Sequence, residues 1–281
     1  MKDLQTYWRN IFRAQMPGEQ IWWDRKVKLC ETRGAEMVRI KGEGKVYQKL
    51  RTNDDLNYRY LLHLEILMRQ GKHFYMEEQV FPFVCKTKEG KTIHRLVEIT
   101  TDQAAPQLAL LESEVAEETR FSYDRMSAVQ YAENWWNSYN PAYRKFDVDC
   151  TNYVSQCLKA GGAPMWGAPN RSKGWWYQGG SWSFSWAVAH SFRWYLSGAK
   201  QGLKGLEVHT PQELAPGDVI CYDFEGDGRF NHNTIVVAKD SEGMPLVNAH
   251  TNNSRHRYWS YEDSAAWTPE INYKFFRIGE T

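Results

Sequence analysis

A chain of 281 residues, 42% hydrophobic and 25% charged, has the makeup of a globular protein with one large or two modest domains. A formal charge of +1 gives no electrostatic case for nucleic acid or for an anionic membrane surface. No run approaches the ~18 apolar residues of a spanning helix, so no membrane span is expected.

The opening MKDLQTYWRNIFRAQ lacks the apolar core of a secretory signal. As written the chain reads as cytoplasmic, or as secreted if a leader has been removed. The first 115 residues read as a small α+β domain of unassigned role. Residues 37–51 suggest a strand pair. LNYRYLLHLEILMRQG (56–71) is expected to form a helix ended by Gly71, with Leu61, Leu64, Ile66, Leu67 and Met68 on its apolar face. FVCKTKEGKTIHRLVEI (83–99) alternates around KEGK and reads as a β-hairpin with Gly90 in the turn. The acidic, Ala-rich 100–120 is expected to be a linker or a helix across the junction.

From 120 to 281 the pattern changes. Residues 123–136 read as a helix with Ala128, Val129, Ala132, Trp135 and Trp136 on one side, broken at Asn140-Pro141. CTNYVSQCL starts a second helix, a Gly- and Trp-rich segment follows (161–183), and 185–198 gives a third. The last third carries strands at 217–224, 232–240, 245–251 and 273–278. Helices followed by an antiparallel sheet indicate an α+β domain.

Five cysteines, Cys30, Cys85, Cys150, Cys157 and Cys221, are odd in number and form no CxxC, so they read as free thiols in a reducing compartment. Cys150, Tyr153, Val154, Cys157 and Leu158 fall at i, i+3, i+4, i+7 and i+8, one face of a helix. Asp149 is a suitable N-cap, which places Cys150 at the first helical position. There the helix dipole favours thiolate, and the free first-turn amides, with Asp149 and Thr151 in support, are the parts of an oxyanion hole. Cys157, two turns deeper, reads as core. The seven-residue Cys spacing matches no zinc knuckle, so neither metal nor cofactor is expected.

Among eight histidines, His63, His73 and His94 carry no motif, and His190, His209 and His256 lie in a Trp-rich helix and loops. His232 opens the strand HNTIVVA and is the candidate base. His250, near the end of PLVNAHT, is the candidate orienting group, a role Asn248 could share or take. YDFEGDGRF resembles a Ca²⁺ loop but has Thr234 where the bidentate Glu belongs, so a polar hairpin turn is expected. In GWWYQGGSW, Gly flanks around large aromatics suggest a loop in which Trp175 or Trp176 lines a substrate groove.

The blocks YDRMSAVQYAENWWNSYNPAYRKFDVDCTNYVSQCLKAGGAPM, SWAVAHSFRWYL, LAPGDVICYDFEGDGRFNHNTIVV and GMPLVNAHT resemble the putative amidase domain family, a branch of the NlpC-type papain-like cysteine peptidases. The resemblance spans about 120–280. It implies a papain-like helix bundle on an antiparallel sheet, with a nucleophilic Cys matched by Cys150, a strand-start His matched by His232 and a third polar residue matched by His250. It also implies a tyrosine near the oxyanion, matched by Tyr143. Asn231 departs from the acidic residue that many relatives carry before the strand His. The implied activity is hydrolysis of an amide bond in a peptide or muropeptide through an acyl-enzyme. The rival readings are a catalytically idle glycan- or peptide-binding module and an acyltransferase sharing the covalent step.

Overall fold

A computed structural model describes residues 2–13, 16–52, 55–88, 91–97 and 121–279. The expected linker at 100–120 and the Gly90 turn lie outside them. Two helices, α1 (Lys2–Phe12) and α2 (Ile21–Thr32), precede four strands, β1 (Ala35–Thr52), β2 (Asp55–Gln70), β3 (His73–Lys88) and β4 (Lys91–Leu96). Helices α3 (Arg125–Trp135) and α4 (Cys150–Ala160) follow, then a two-stranded ribbon, β5 (Tyr177–Gln178) and β6 (Ser181–Trp182). Helices α5 (Phe184–Ala187) and α6 (Ala189–Gly198) lead into β7 (Gly205–Val208), β8 (Val219–Asp223), β9 (His232–Lys239), β10 (Pro245–Ala249), β11 (Ser254–Tyr258) and β12 (Asn272–Ile278). The fold is mixed α+β around one large antiparallel sheet.

Residues 56–71 are a strand, not the expected helix. Every second side chain, Tyr60, Leu62, Leu64, Ile66 and Met68, is buried, and the residues between them face outward. The run LLHLEILM satisfies both periods, and pairing decides between them. β2 is matched along its length by β1 on one side and β3 on the other, which supply ladder hydrogen bonds over its whole span. The strand pair expected in 37–51 is one long strand. The inner face packs on Leu4, Trp8, Ile11, Trp22 and Trp23 of α1 and α2, two helices the sequence reading did not identify. Of the expected hairpin at 83–99, β3 and β4 pair from Phe83 opposite Leu96 to Lys88 opposite Lys91.

The sheet runs β1-β2-β3-β11-β10-β9-β8-β12-β7, with β4 also on β3. β3 and β11 join at Gln79–Ser254 and Glu78–Arg255, so one sheet passes through both halves of the chain. The seam is fixed by a buried charge cluster. Lys26 pairs with Glu77 and, at 3.3 Å, with Asp263, and Arg257 Nη2 pairs with Asp263 at 2.9 Å. Two cations and two carboxylates, all almost fully buried, offset one another.

Alternation divides the later strands into two faces. Val219, Cys221, Ile235, Val237, Phe276 and Ile278 face α3, α4 and α6 and meet Ala132, Tyr153, Val154, Cys157 and Phe192. Ile220, Tyr222, Val236, Val247, Ala249 and Phe275 face the other way and meet Leu214 and Tyr261. No helix among the described residues is long and apolar enough to cross a membrane.

Candidate active site

α4 starts at Cys150, as its apolar spacing predicts, but Asp149 does not cap it. Its carboxylate turns away from the first turn. Oδ1 accepts from the Phe146 amide and from Asn152 Nδ2, each at 2.9 Å, and Oδ2 lies 2.7 Å from His250 Nδ1. The expected cap is therefore corrected: the Asp149 side chain leaves the first-turn amides of α4 to other acceptors. The Asp149 amide donates to Thr251 Oγ1 at 2.9 Å, which ties the head of the helix to the end of β10.

The Cys150 side chain is 1% exposed. Its sulfur lies 3.7 Å from Thr151 Oγ1, with the Asn233 backbone amide nearby. Asn233 stands opposite Cys221 of β8 and lies beyond the β9–β10 ladder. The β9–β10 ladder ends at Ile235–Asn248, so the partner of Asn233 would be residue 250, past the end of β10. The chain leaves the strand there through Thr251 and Asn252, both at positive φ (62° and 64°). Asn233 Nδ2 also donates to Thr151 Oγ1 at 2.8 Å. Burial pushes the Cys150 thiol up from its ordinary value, opposed by the Asn233 amide and the Thr151 hydroxyl.

His250 stacks on Tyr153 (ring centroids 4.0 Å apart, 18° between planes) on the helix side of the sheet. Its Nε2 donates to the Trp135 carbonyl at 2.8 Å, and its Nδ1 meets Asp149. Both partners are natural acceptors, so each ring nitrogen of His250 faces an oxygen.

His232 is placed elsewhere. It stands opposite Tyr222 in the β8–β9 ladder, and its ring packs among Tyr261 (5.1 Å), Tyr222 (5.6 Å) and Phe224 (5.9 Å). That is the face turned away from α4. Because strand side chains alternate, Asn233 takes the position beside Cys150 and His232 points to the opposite side. The expected Cys150–His232 contact and the side-by-side His232–His250 arrangement are both corrected on this ground. Burial, then Arg257, push His232 down to about 3, and Nε2 is buried with no partner among the described residues.

Asn248 lies on the helix side but touches neither histidine. Its Nδ2 donates to Glu133 Oε1 at 3.2 Å and its Oδ1 accepts from the His256 amide at 2.9 Å. Glu133 further binds His256 Nε2 (2.8 Å) and Arg255 Nε (2.6 Å), and Arg255 reaches Glu78 on β3 (2.9 Å). Tyr143 stacks on Trp186 and leans on Tyr177, in the aromatic wall beside α4 and not against the thiol.

Trp175 and Trp176 are core residues, which corrects their expected groove position. Trp175 is 0% exposed and donates to Ser155 Oγ at 3.0 Å; Trp176 is 2% exposed and donates to the Asn170 and Lys173 carbonyls. The neighbouring glycine serves backbone approach. Trp166 and Trp175 form a bridge, and a Cβ on Gly174 would sit 2.0 Å from the Trp166 carbonyl oxygen. The EGDGR turn folds around Asp223, whose two oxygens accept from the Gly226 and Gly228 amides. Among the described residues no His, Cys, Asp and Glu cluster has the form of a metal site. The sequence reading missed the Asp149–His250 pair and Asn233; parity along β9 is the signal that points to Asn233.

The family model described as "Putative amidase domain" matches residues 122–276. The chain is 48% identical over 271 residues to "Uncharacterized protein YhbB" of Bacillus subtilis (strain 168), covering 91% of this chain and 85% of that protein. It is 31% identical over 140 residues to "Uncharacterized protein YjcM" of the same organism, covering 47% of this chain and 31% of that protein. No solved structure matches. With more than half its length under the family model, and the thiol, Asp149 and His250 all inside the matched span, the chain belongs to the putative amidase domain family.

Proposed function

We propose that the chain is a cysteine-dependent amidase of papain-like type, with Cys150 as nucleophile, acting on peptide amides of the cell-wall (peptidoglycan) class. The observation that carries this reading is the head of α4, where a thiol begins the helix, the preceding carboxylate leaves the first-turn amides uncapped, and that carboxylate holds a histidine at 2.7 Å. In the proposed reaction the Cys150 sulfur attacks the carbonyl carbon and its proton passes to the imidazole of the Asp149–His250 pair. For this, Nε2 first releases to solvent the proton it donates to the Trp135 carbonyl, so that it meets the thiol with a free lone pair while Nδ1 keeps its proton on Asp149. The oxyanion is met by the α4 amides, the amine leaves with the proton, and water then releases the acid from the thioester. His250, not His232, is the base in this reading.

A second reading, an idle binding module, is favoured by one observation: among the described residues no histidine nitrogen is hydrogen-bonded to the buried Cys150 sulfur. Incubation of wild type and Cys150→Ser with purified muropeptides separates the two. Cleavage by wild type that falls by about 10³-fold or more in the variant supports the amidase. Binding without cleavage by either protein favours the module.

A further inference from the structure

The segment leading into α4 carries Arg144, Lys145 and Phe146, and all three are held at its head. The Arg144 carbonyl accepts from Asn152 Nδ2 of the first turn at 3.0 Å, the Arg144 amide donates to the Tyr177 hydroxyl at 2.8 Å, and the Phe146 amide is bound by Asp149. The side chains then meet the β5–β6 ribbon. The guanidinium of Arg144 lies 5.1 Å from the Trp182 ring centroid, and that of Arg171 lies 4.9 Å from the same ring and 4.9 Å from Phe184. Lys145 Nζ sits 3.9 Å from the Tyr139 ring, and Tyr139 in turn contacts His250. Arg144, Lys145 and Arg171 are exposed.

None of these three cations is paired with a carboxylate among the described residues. Other arginines are: Arg33 with Asp240, Arg125 with Asp218, Arg255 with Glu78 and Glu133, Arg257 with Asp263. Local composition is equally one-sided. Residues 150–206 contain no Asp or Glu but include Lys159, Arg171, Lys173, Arg193, Lys200 and Lys204, in a chain whose formal charge is only +1. Within residues 144–149 the acidic side chains are exposed Asp147 and buried Asp149.

Arg171 Nε donates to the Trp182 carbonyl at 3.0 Å, and stacking, which uses the face of a guanidinium, leaves its two Nη groups and the N–H edge of Arg144 to meet a planar carboxylate. We infer that this lip selects substrates by charge and that the segment beside the scissile amide carries carboxylates, so that the ligand is an acidic peptide. This rests on the amidase reading for what is done to the peptide, and on the Arg144–Trp182–Arg171 clamp for what is bound.

The test uses the full chain carrying Cys150→Ala, so that binding is measured without turnover. Its probes are acetyl-Ala-Glu-Ala-Glu-amide and acetyl-Ala-Gln-Ala-Gln-amide, titrated by calorimetry. At low salt the acidic peptide is expected to bind about tenfold tighter or better, with the advantage shrinking at roughly 0.5 M NaCl. Arg144→Gln with Arg171→Gln is expected to abolish the preference, and Arg144→Lys with Arg171→Lys to keep only part of it, since charge remains without the bidentate fork. Equal affinity for the two peptides in the Cys150→Ala background overturns the inference whatever the arginine variants do. Wild-type turnover is followed separately. Acidic preference with no cleavage retains the charge-selective lip and removes the amidase; cleavage of the neutral peptide as fast as the acidic one does the reverse.

Discussion

His232→Phe changes a residue whose neutral form the fold enforces. The ring is enclosed by Tyr222, Phe224 and Tyr261, is 6% exposed, and is pushed from an ordinary 6.5 down to about 3 by burial and Arg257. A histidine depressed in the native state leaves the unfolded chain binding the extra proton. Its contribution to stability is therefore complete above pH 6.5 and is lost progressively as pH falls toward 3. The gap from 6.5 to about 3, at 1.36 kcal/mol per pH unit, corresponds to roughly 5 kcal/mol over the full window and about 2 kcal/mol between pH 7 and pH 5. His94, pushed down to about 4 by burial, adds a loss of the same sign, so the informative quantity is the difference between wild type and variant. Urea unfolding of both proteins at pH 7, 6 and 5 measures it. Phenylalanine suits the aromatic surroundings, and the variant is expected to lose about 2 kcal/mol less than wild type over that range. Parallel curves would refute the placement of a neutral, enclosed His232. So would a variant of unchanged stability with amidase activity abolished, which would return His232 to catalysis.

Three further outcomes follow from the same structure. Asp263→Asn leaves Lys26 and Arg257 sharing only Glu77 in a buried seam, and urea unfolding at pH 7 is expected to show a loss of about 3–5 kcal/mol. Asp149→Ala removes the partner of two buried donors, Asn152 Nδ2 and His250 Nδ1, and of the half-buried Phe146 amide; at ~1–3 kcal/mol for each buried unsatisfied group, a loss of at least about 2 kcal/mol should appear in thermal unfolding, together with loss of turnover. Iodoacetamide should label native Cys150 at pH 7 more slowly than a free thiol, with a rate that climbs toward alkaline pH, since burial raises the thiol; site-resolved mass spectrometry reads this directly.

Much of the second half was legible because its periods are unambiguous. The 3.6-residue spacing of Cys150, Tyr153, Val154 and Cys157 gives α4 at the expected place, and the strands of 217–278 stand near their expected ends. What failed has identifiable causes. LLHLEILM fits two periods, and only its neighbours β1 and β3 make it a strand. The 185–198 helix is split at Val188 into α5 and α6. β11, which links the halves, lies in SRHRY, where polar residues pair with β3 and carry no apolar alternation.

The site shows the same limit. Cys150 was visible from local chemistry, but the facing of His232 depends on register, where one residue reverses the side. Asp149 was read as a cap because nothing local indicates that His250, a hundred residues later, would claim its carboxylate. Trp175 and Trp176 resemble groove aromatics because flanking glycines suggest a presenting loop; the Trp166–Trp175 bridge makes Gly174 a requirement of packing, while Gly179 and Gly180, at positive φ with open space around them, serve the β5–β6 turn.

The central claim, a covalent intermediate on Cys150, is tested by intact-mass and peptide-mapping spectrometry of acid-quenched protein mixed with muropeptides. An adduct of the acyl fragment is expected on the peptide containing Cys150, absent in Cys150→Ala. Cleavage that proceeds undiminished in Cys150→Ala would contradict it.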